Sequence, residues 1–144
     1  MIKYKAIKNV MAHTSGEFFL SLIQFSGKLL KRMDANLSIH GISFTEYQVL
    51  HQLNLAAGST LPRIELARNV GLSASGVTRL IAPMEKLGLV QKEPHSRDAR
   101  MSLVKLSKAG QTMYEDSSTT VSSVATDMLD KLTGGQKKAL ERLF

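Results

Sequence analysis

Residues 60–110 read TLPRIELARNVGLSASGVTRLIAPMEKLGLVQKEPHSRDARMSLVKLSKAG. Pro62 suits the first turn of a short helix that buries Ile64, Leu66, Ala67 and Val70, and Gly71 breaks it. Ser73 can cap a second helix with Val77, Leu80, Ile81, Met84 and Leu87 on its apolar side, stopped by Gly88. Leu89–Glu93 and Met101–Leu106 then read as two short strands joined by the polar loop 94–100. Two short helices about a glycine turn make a helix-turn-helix pattern, which alone is common in ordinary helical bundles. The hairpin directly after it adds weight. A β-ribbon whose tip carries Arg97 and Arg100 can reach a groove beside the helix, a feature that a purely structural hairpin does not need.

Outward from this stretch, Phe19, Leu22, Ile23, Ser26, Leu29, Leu30, Met33 and Leu37 fall at helical spacing, and His40-Gly41 ends that helix. Phe18 and Phe25 widen its stripe beyond what one neighbouring helix covers. A T-x-x-Q capping box, Thr45 to Gln48, opens the next helix, whose apolar face uses Tyr47, Val49, Leu50 and Leu53. From Ser107 a long helix runs to Leu132 with Met113, Val121, Val124, Met128 and Leu132 on one stripe. Its Ser- and Thr-rich run 117–123 reads as an exposed face. Thr133-Gly134-Gly135 interrupts it, and a final helix follows. The fold class expected is mainly α with a small β-wing.

Charge points to the same middle stretch. The chain of 144 residues has a net charge of +7, and residues 60–110 hold nine Lys+Arg against four Asp+Glu, +5. Residues 111–144 hold four against five, −1. A basic middle flanked by less charged segments suits a polyanionic partner. The absence of cysteine excludes disulfides, thiolate metal sites and cysteine redox switches. No apolar run reaches the length of a membrane span, and no signal peptide is read at the amino terminus, so a cytoplasmic protein with no membrane partner is expected.

The second helix of the pair opens with suitable chemistry. Ser75, Gly76, Thr78 and Arg79 are small or polar, while Val77, Leu80 and Ile81 face inward. Such an amino-terminal end can enter the major groove of DNA, where arginine pairs with guanine O6 and N7. Its backbone N–H groups and hydroxyls, with Ser73 at the cap, can hold phosphate. Four histidines (His13, His40, His51 and His95) form neither H-E-x-x-H nor H-x-x-x-H, so no metal site or cofactor is assigned. No nucleophile elbow, Walker loop or dinucleotide glycine pattern is present, and no enzyme is expected. The basic amino terminus is too short and too weakly amphipathic to rank as a membrane anchor.

The stretch from Thr60 to Gly110 resembles the winged helix-turn-helix core of the MarR family of bacterial transcriptional regulators. The matching residues are Glu65-Leu66-Ala67, Gly71-Leu72-Ser73, Val77-Thr78-Arg79-Leu80 and the run from Met84 to Val90. Asp98-Ala99-Arg100 matches the D-x-R of the wing, and Leu106-Ser107-Lys108-Ala109-Gly110 matches its exit. The resemblance extends to Thr45–Leu53 and, by helix layout alone, to the flanking helices. It implies a homodimer, with residues 1–38 and 111–144 as the helical dimerisation region and 39–110 as the DNA-binding region. The stripe of Phe18, Phe19, Leu22 and Phe25, too apolar for a lone small domain, fits that implication.

The resemblance further implies that the second helix of the pair reads the major groove, that a wing arginine enters the minor groove, and that Asp98 orients Arg100 by a salt bridge. Asp98 as an ordinary turn residue is the plainer reading. The site residues expected are thus Ser73, Ser75, Gly76, Thr78, Arg79, Arg97, Asp98 and Arg100 on double-stranded DNA, with a pseudo-palindromic operator and repression as the outcome. A small aromatic or anionic effector is implied in a crevice that Phe25, Met33, Tyr47 and His51 could line; the plainer role of all four is core. Pro83 departs from the family pattern, and a kink or a shared water is expected there. The alternative function is a winged-helix interaction module that dimerises without specific DNA binding.

Overall fold

The structure, a computed structural model, describes residues 14–95, 98 and 101–142. The chain divides into two compact units, residues 1–32 and 33–144. The first is represented by helix α1, Ser15–Leu37, whose side chains Phe18, Phe19, Leu22, Ile23, Phe25 and Leu30 are all exposed. The lysines at positions 3, 5 and 8 lie outside the described residues.

The second unit, 33–144, begins with the last turn of α1, where Met33 and Leu37 are buried. Next come α2 (Phe44–Leu55), strand β1 (Thr60–Pro62), α3 (Arg63–Asn69) and α4 (Ala74–Lys86). Strands β2 (Val90–Pro94) and β3 (Ser102–Leu106), then helices α5 (Lys108–Leu129) and α6 (Gly134–Glu141), complete it. Leu37, Val49, Leu50 and Leu53 share one apolar core with Leu66, Val77, Ile81, Met84, Val90 and Val104. The expected class, mainly α with a small β-wing, holds.

Several local expectations are corrected. The capping box of α2 is Ser43 with Glu46, not Thr45 with Gln48: Ser43 is extended (φ −83°, ψ 165°), its Oγ accepts from the Glu46 N–H, and Glu46 accepts from the Ser43 N–H. Thr45 lies already inside the first turn, where a cap has no role. The wing sheet has three strands rather than two, in the order β1-β3-β2, because Thr60–Pro62 pairs antiparallel with β3 (Thr60 opposite Lys105, Pro62 opposite Leu103). Three residues are too few to show alternation in sequence. Pro62 and Pro94 both sit on the outer strands, where a missing N–H costs no ladder bond.

Ile64 and Leu87, expected inside, are exposed. Ile64 lies in the first turn of α3, while Leu87 follows the last residue of α4 and precedes Gly88, which takes φ 73°. The long helix stops at Leu129, short of Leu132. Its Ser- and Thr-rich run is exposed only in part: Thr119, Ser122 and Ser123 are exposed, but Ser117 is fully buried and bonds back to the Met113 carbonyl. At Pro83, α4 continues without interruption to Lys86, and the Leu87 N–H donates to the Pro83 carbonyl (3.0 Å).

Candidate nucleic-acid interface

The turn between α3 and α4 sets the site. Gly71 takes φ 70°, a left-handed conformation that side chains resist, and the Leu72 N–H reaches back to the Ala67 carbonyl (2.9 Å). Ser73 is extended, and its Oγ accepts from the Gly76 N–H (3.0 Å), so the expected cap is present. Gly76 keeps that turn tight, since a Cβ there would lie 3.1 Å from Ser73 Oγ.

Beyond the cap, α4 has two faces. Val77, Ile81 and Met84 are buried, while Ser75, Thr78, Arg79, Ala82, Pro83 and Lys86 are exposed at spacings of three and four, which puts them along one side. The structure thus brings Ser73, Ser75, Thr78 and Arg79 to one exposed end and side of α4. Ser75 Oγ lies 3.1 Å from Ser73 Oγ. Thr78 Oγ1 donates to the Ala74 carbonyl (2.8 Å), which leaves its lone pairs as acceptors. The first turn holds no acidic residue, so the partial positive charge of the helix end is undiminished by side chains of that turn.

The wing is tied to the same helix. Lys92 on β2 pairs with Glu85 near the end of α4 (2.8 Å), and Lys105 on β3 pairs with Glu93 on β2 (3.0 Å). At the tip, the Asp98 N–H donates to His95 Nδ1 (3.1 Å) and the Met101 N–H to the Asp98 carbonyl (3.0 Å). Asp98 is exposed. Arg97 and Arg100, and with them the expected Asp98–Arg100 bridge, lie outside the described residues.

The wing leaves through a close joint. Ser107 caps α5 by accepting from the Gly110 N–H (2.9 Å), while its own hydroxyl faces the carbonyls of Gly88 (2.5 Å) and Leu89 (3.0 Å). Gly110 is buried against Leu89, which explains the glycine of the L-S-K-A-G run.

A second cluster lies between α2 and α5. Tyr47 stacks on Phe44, His51 and Tyr114 with ring centroids 6.0, 6.1 and 5.6 Å away. Tyr47 Oη lies 3.2 Å from Ser118 Oγ, His51 Nδ1 3.0 Å from Tyr114 Oη, and His40 Nε2 2.8 Å from Thr120 Oγ1. Burial raises the Tyr47 hydroxyl above its ordinary pKa; the Ser118 hydrogen bond opposes that rise and Tyr114 adds to it. Of the residues expected to line an effector crevice, Tyr47 and His51 meet here, Met33 is buried in the core and Phe25 is exposed. Tyr114, Ser118, Thr120 and His40 were not among them. A signal existed: Tyr47 with His51 and Tyr114 with Ser118 each stand four apart and so share a helix face.

Among the described residues, no group of three or more His, Asp or Glu side chains could hold a metal ion, and no helix is long and apolar enough to cross a membrane.

Residues 40–101, the span from the end of the first helical segment through α4 to the start of β3, match the MarR family model. That span is under half of the chain, and over it the chain is similar to the MarR family. Among its relatives is the HTH-type transcriptional repressor YetL of Bacillus subtilis (strain 168), 27% identical over 99 residues, which are 69% of this chain and 59% of YetL. The chain spans about three-fifths of that relative's length. Its fold is similar to that of Sco3205, a MarR family transcriptional regulator from Streptomyces coelicolor solved in complex with DNA (TM-score 0.84, 24% identity, 90% of this chain and 84% of that one). It is also similar to the organohalide-sensing regulator RdhR-CbdbA1625 in its 2,4-dichlorophenol-bound form (TM-score 0.78, 21% identity, 88% and 74%).

Proposed function

We propose that this protein is a MarR family, sequence-specific, double-stranded DNA-binding transcriptional regulator that acts as a homodimer and represses from a pseudo-palindromic operator. The observation that carries this reading is the exposed side of α4, which presents Ser75, Thr78 and Arg79 from a capped and acid-free helix start within the family-matched segment. On this reading the Ser73 and Ser75 hydroxyls hold phosphate, Gly76 lets the helix start approach closely, and Thr78 and Arg79 meet base edges. Arg97 and Arg100 belong to the wing, with Arg100 in the minor groove and Asp98 orienting it. The likeness to a repressor and to a DNA-bound regulator supports the assignment.

Residues 39–110 form the DNA-binding region, and 1–38 with 111–144 form the dimerisation region. Exposed phenylalanines on α1 support dimerisation, because a contiguous apolar face of this kind marks an interaction surface. A small aromatic or anionic effector releases the protein from its operator. The Tyr47–His51–Tyr114 cluster, with aromatic faces and hydroxyls between α2 and α5, supports that part of the reading, as does the dichlorophenol-bound neighbour.

Selection of bound sequences from random duplex DNA tests the whole. The expected product is a site with dyad symmetry and half-sites about 10 bp apart, one helical turn centre to centre. Failure of any sequence to enrich contradicts the reading, and enrichment of sites without dyad symmetry contradicts the dimeric form of it.

A further inference from the structure

We infer that Ala82 and Pro83 form an apolar reader of thymine methyl groups, so that each half-site carries a thymine within about two base pairs of the base that Arg79 meets. The inference rests on the DNA-reading role proposed for α4 and deepens it. Ala82 and Pro83 are exposed on the side of α4 that presents Ser75, Thr78 and Arg79, and Lys86 follows them on that side. Between the guanidinium of Arg79 and the ammonium of Lys86, these two side chains offer only carbon. The helix runs unbroken past Pro83, so the apolar pair stays on the reading face.

Reach agrees with this placement. Three to four residues along a helix advance about 4.5–6 Å, and successive base pairs stack about 3.4 Å apart. Carbon packed against a donor or acceptor at a base edge strips water from that atom and returns no hydrogen bond. The C5-methyl of thymine is the apolar group that the major groove offers. Ala and Pro also lose almost no rotamer freedom on contact, so the methyl contact is not offset by ordering a long side chain.

The test starts from the site that the full-length protein itself selects. Deoxyuridine replaces thymine there, one position at a time, which removes the methyl and leaves base pairing intact. Replacement at the contacted position should weaken wild-type binding about fourfold per half-site and about fifteenfold for both, the change expected for losing one buried methyl. Pro83→Gln restores an N–H to the Arg79 carbonyl and so should fold at least as well as the wild type. Ala82→Ser is a second variant, at an exposed position. Each should lose most of the discrimination between thymine and deoxyuridine while still binding the site. Equal binding of thymine and deoxyuridine at every position overturns the inference, as does full discrimination retained by both variants. If no sequence enriches at all, the DNA-reading role falls with it; if a dyad site enriches and deoxyuridine is silent, the methyl reading alone falls.

Discussion

Gly110→Ala should destabilise the protein by about 1–4 kcal/mol. A Cβ at this position would overlap the Leu89 carbonyl oxygen and come within 2.8 Å of Leu106 Cδ1 and 3.0 Å of the Leu89 carbonyl carbon. Alanine favours helix over glycine by at most about 1 kcal/mol, and Gly110 lies in the first turn of α5, where that gain is smaller. Against it stand an overpacking cost of ~1–3 kcal/mol and a bond that the Leu89 carbonyl accepts. The Ser107 N–H donates there (3.1 Å), and losing that bond costs ~1 kcal/mol; the Ser107 hydroxyl, with one proton, lies nearer the Gly88 carbonyl (2.5 Å) than the Leu89 carbonyl (3.0 Å). Backbone, unlike the end of a long side chain, cannot swing aside, so the cost outweighs the gain. Urea unfolding reads the effect as a lower midpoint at unchanged slope. Gly135→Ala is the control: nothing lies within 4 Å of a Cβ there, and it should be neutral or slightly stabilising. A Gly110→Ala protein as stable as the wild type would refute the account of the wing joint.

Three further outcomes follow from the same geometry. Ser73→Ala removes the α4 cap and should cost ~1 kcal/mol in urea unfolding; no change would mean that the Gly76 N–H has another partner. Tyr47 favours its protonated form when folded, so its contribution is intact below its unfolded pKa of ~10 and lost as pH rises through the raised folded value. Tyr47→Phe should therefore make the alkaline loss of stability shallower, measured by urea midpoints on both sides of that pH, and an unchanged alkaline slope contradicts the burial argument. Sedimentation at micromolar concentration should show a homodimer closed over the exposed Phe18, Phe19 and Phe25, whereas a folded monomer contradicts the assigned dimerisation region.

The helix-turn-helix was legible because its signals are local. Gly71 and Gly88 occupy left-handed positions, and Ser73 caps the helix that it precedes. These are choices that a few neighbouring residues decide. What escaped reading was decided by distant partners. Thr60–Pro62 becomes a strand only because β3 lies beside it, and Ser118 gains a partner only because Tyr47 of α2 reaches α5. The capping box was displaced by two residues because S-F-T-E and T-E-Y-Q both satisfy its pattern, and the backbone at Ser43 chose between them. On α4, the placement of Ser73, Ser75, Thr78 and Arg79 on one exposed end and side was legible from type and spacing along one helix. The Tyr114–Ser118 half of the second cluster was hidden, since it acquires meaning only opposite Tyr47 and His51.

The measurement that tests the central claim most directly is a fluorescence titration of Arg79→Ala against matched and mismatched duplexes at several salt concentrations, with Arg100→Ala alongside. Arg79 follows the capped turn of α4 on its exposed side. Its loss should cost ~1–3 kcal/mol on the selected site and flatten the preference at one position in each half-site. Arg100→Ala should weaken matched and unrelated duplexes alike and reduce the slope of log affinity against log salt by about one unit per subunit. An Arg79→Ala protein that keeps its full ratio of matched to mismatched affinity would contradict the claim that α4 reads DNA.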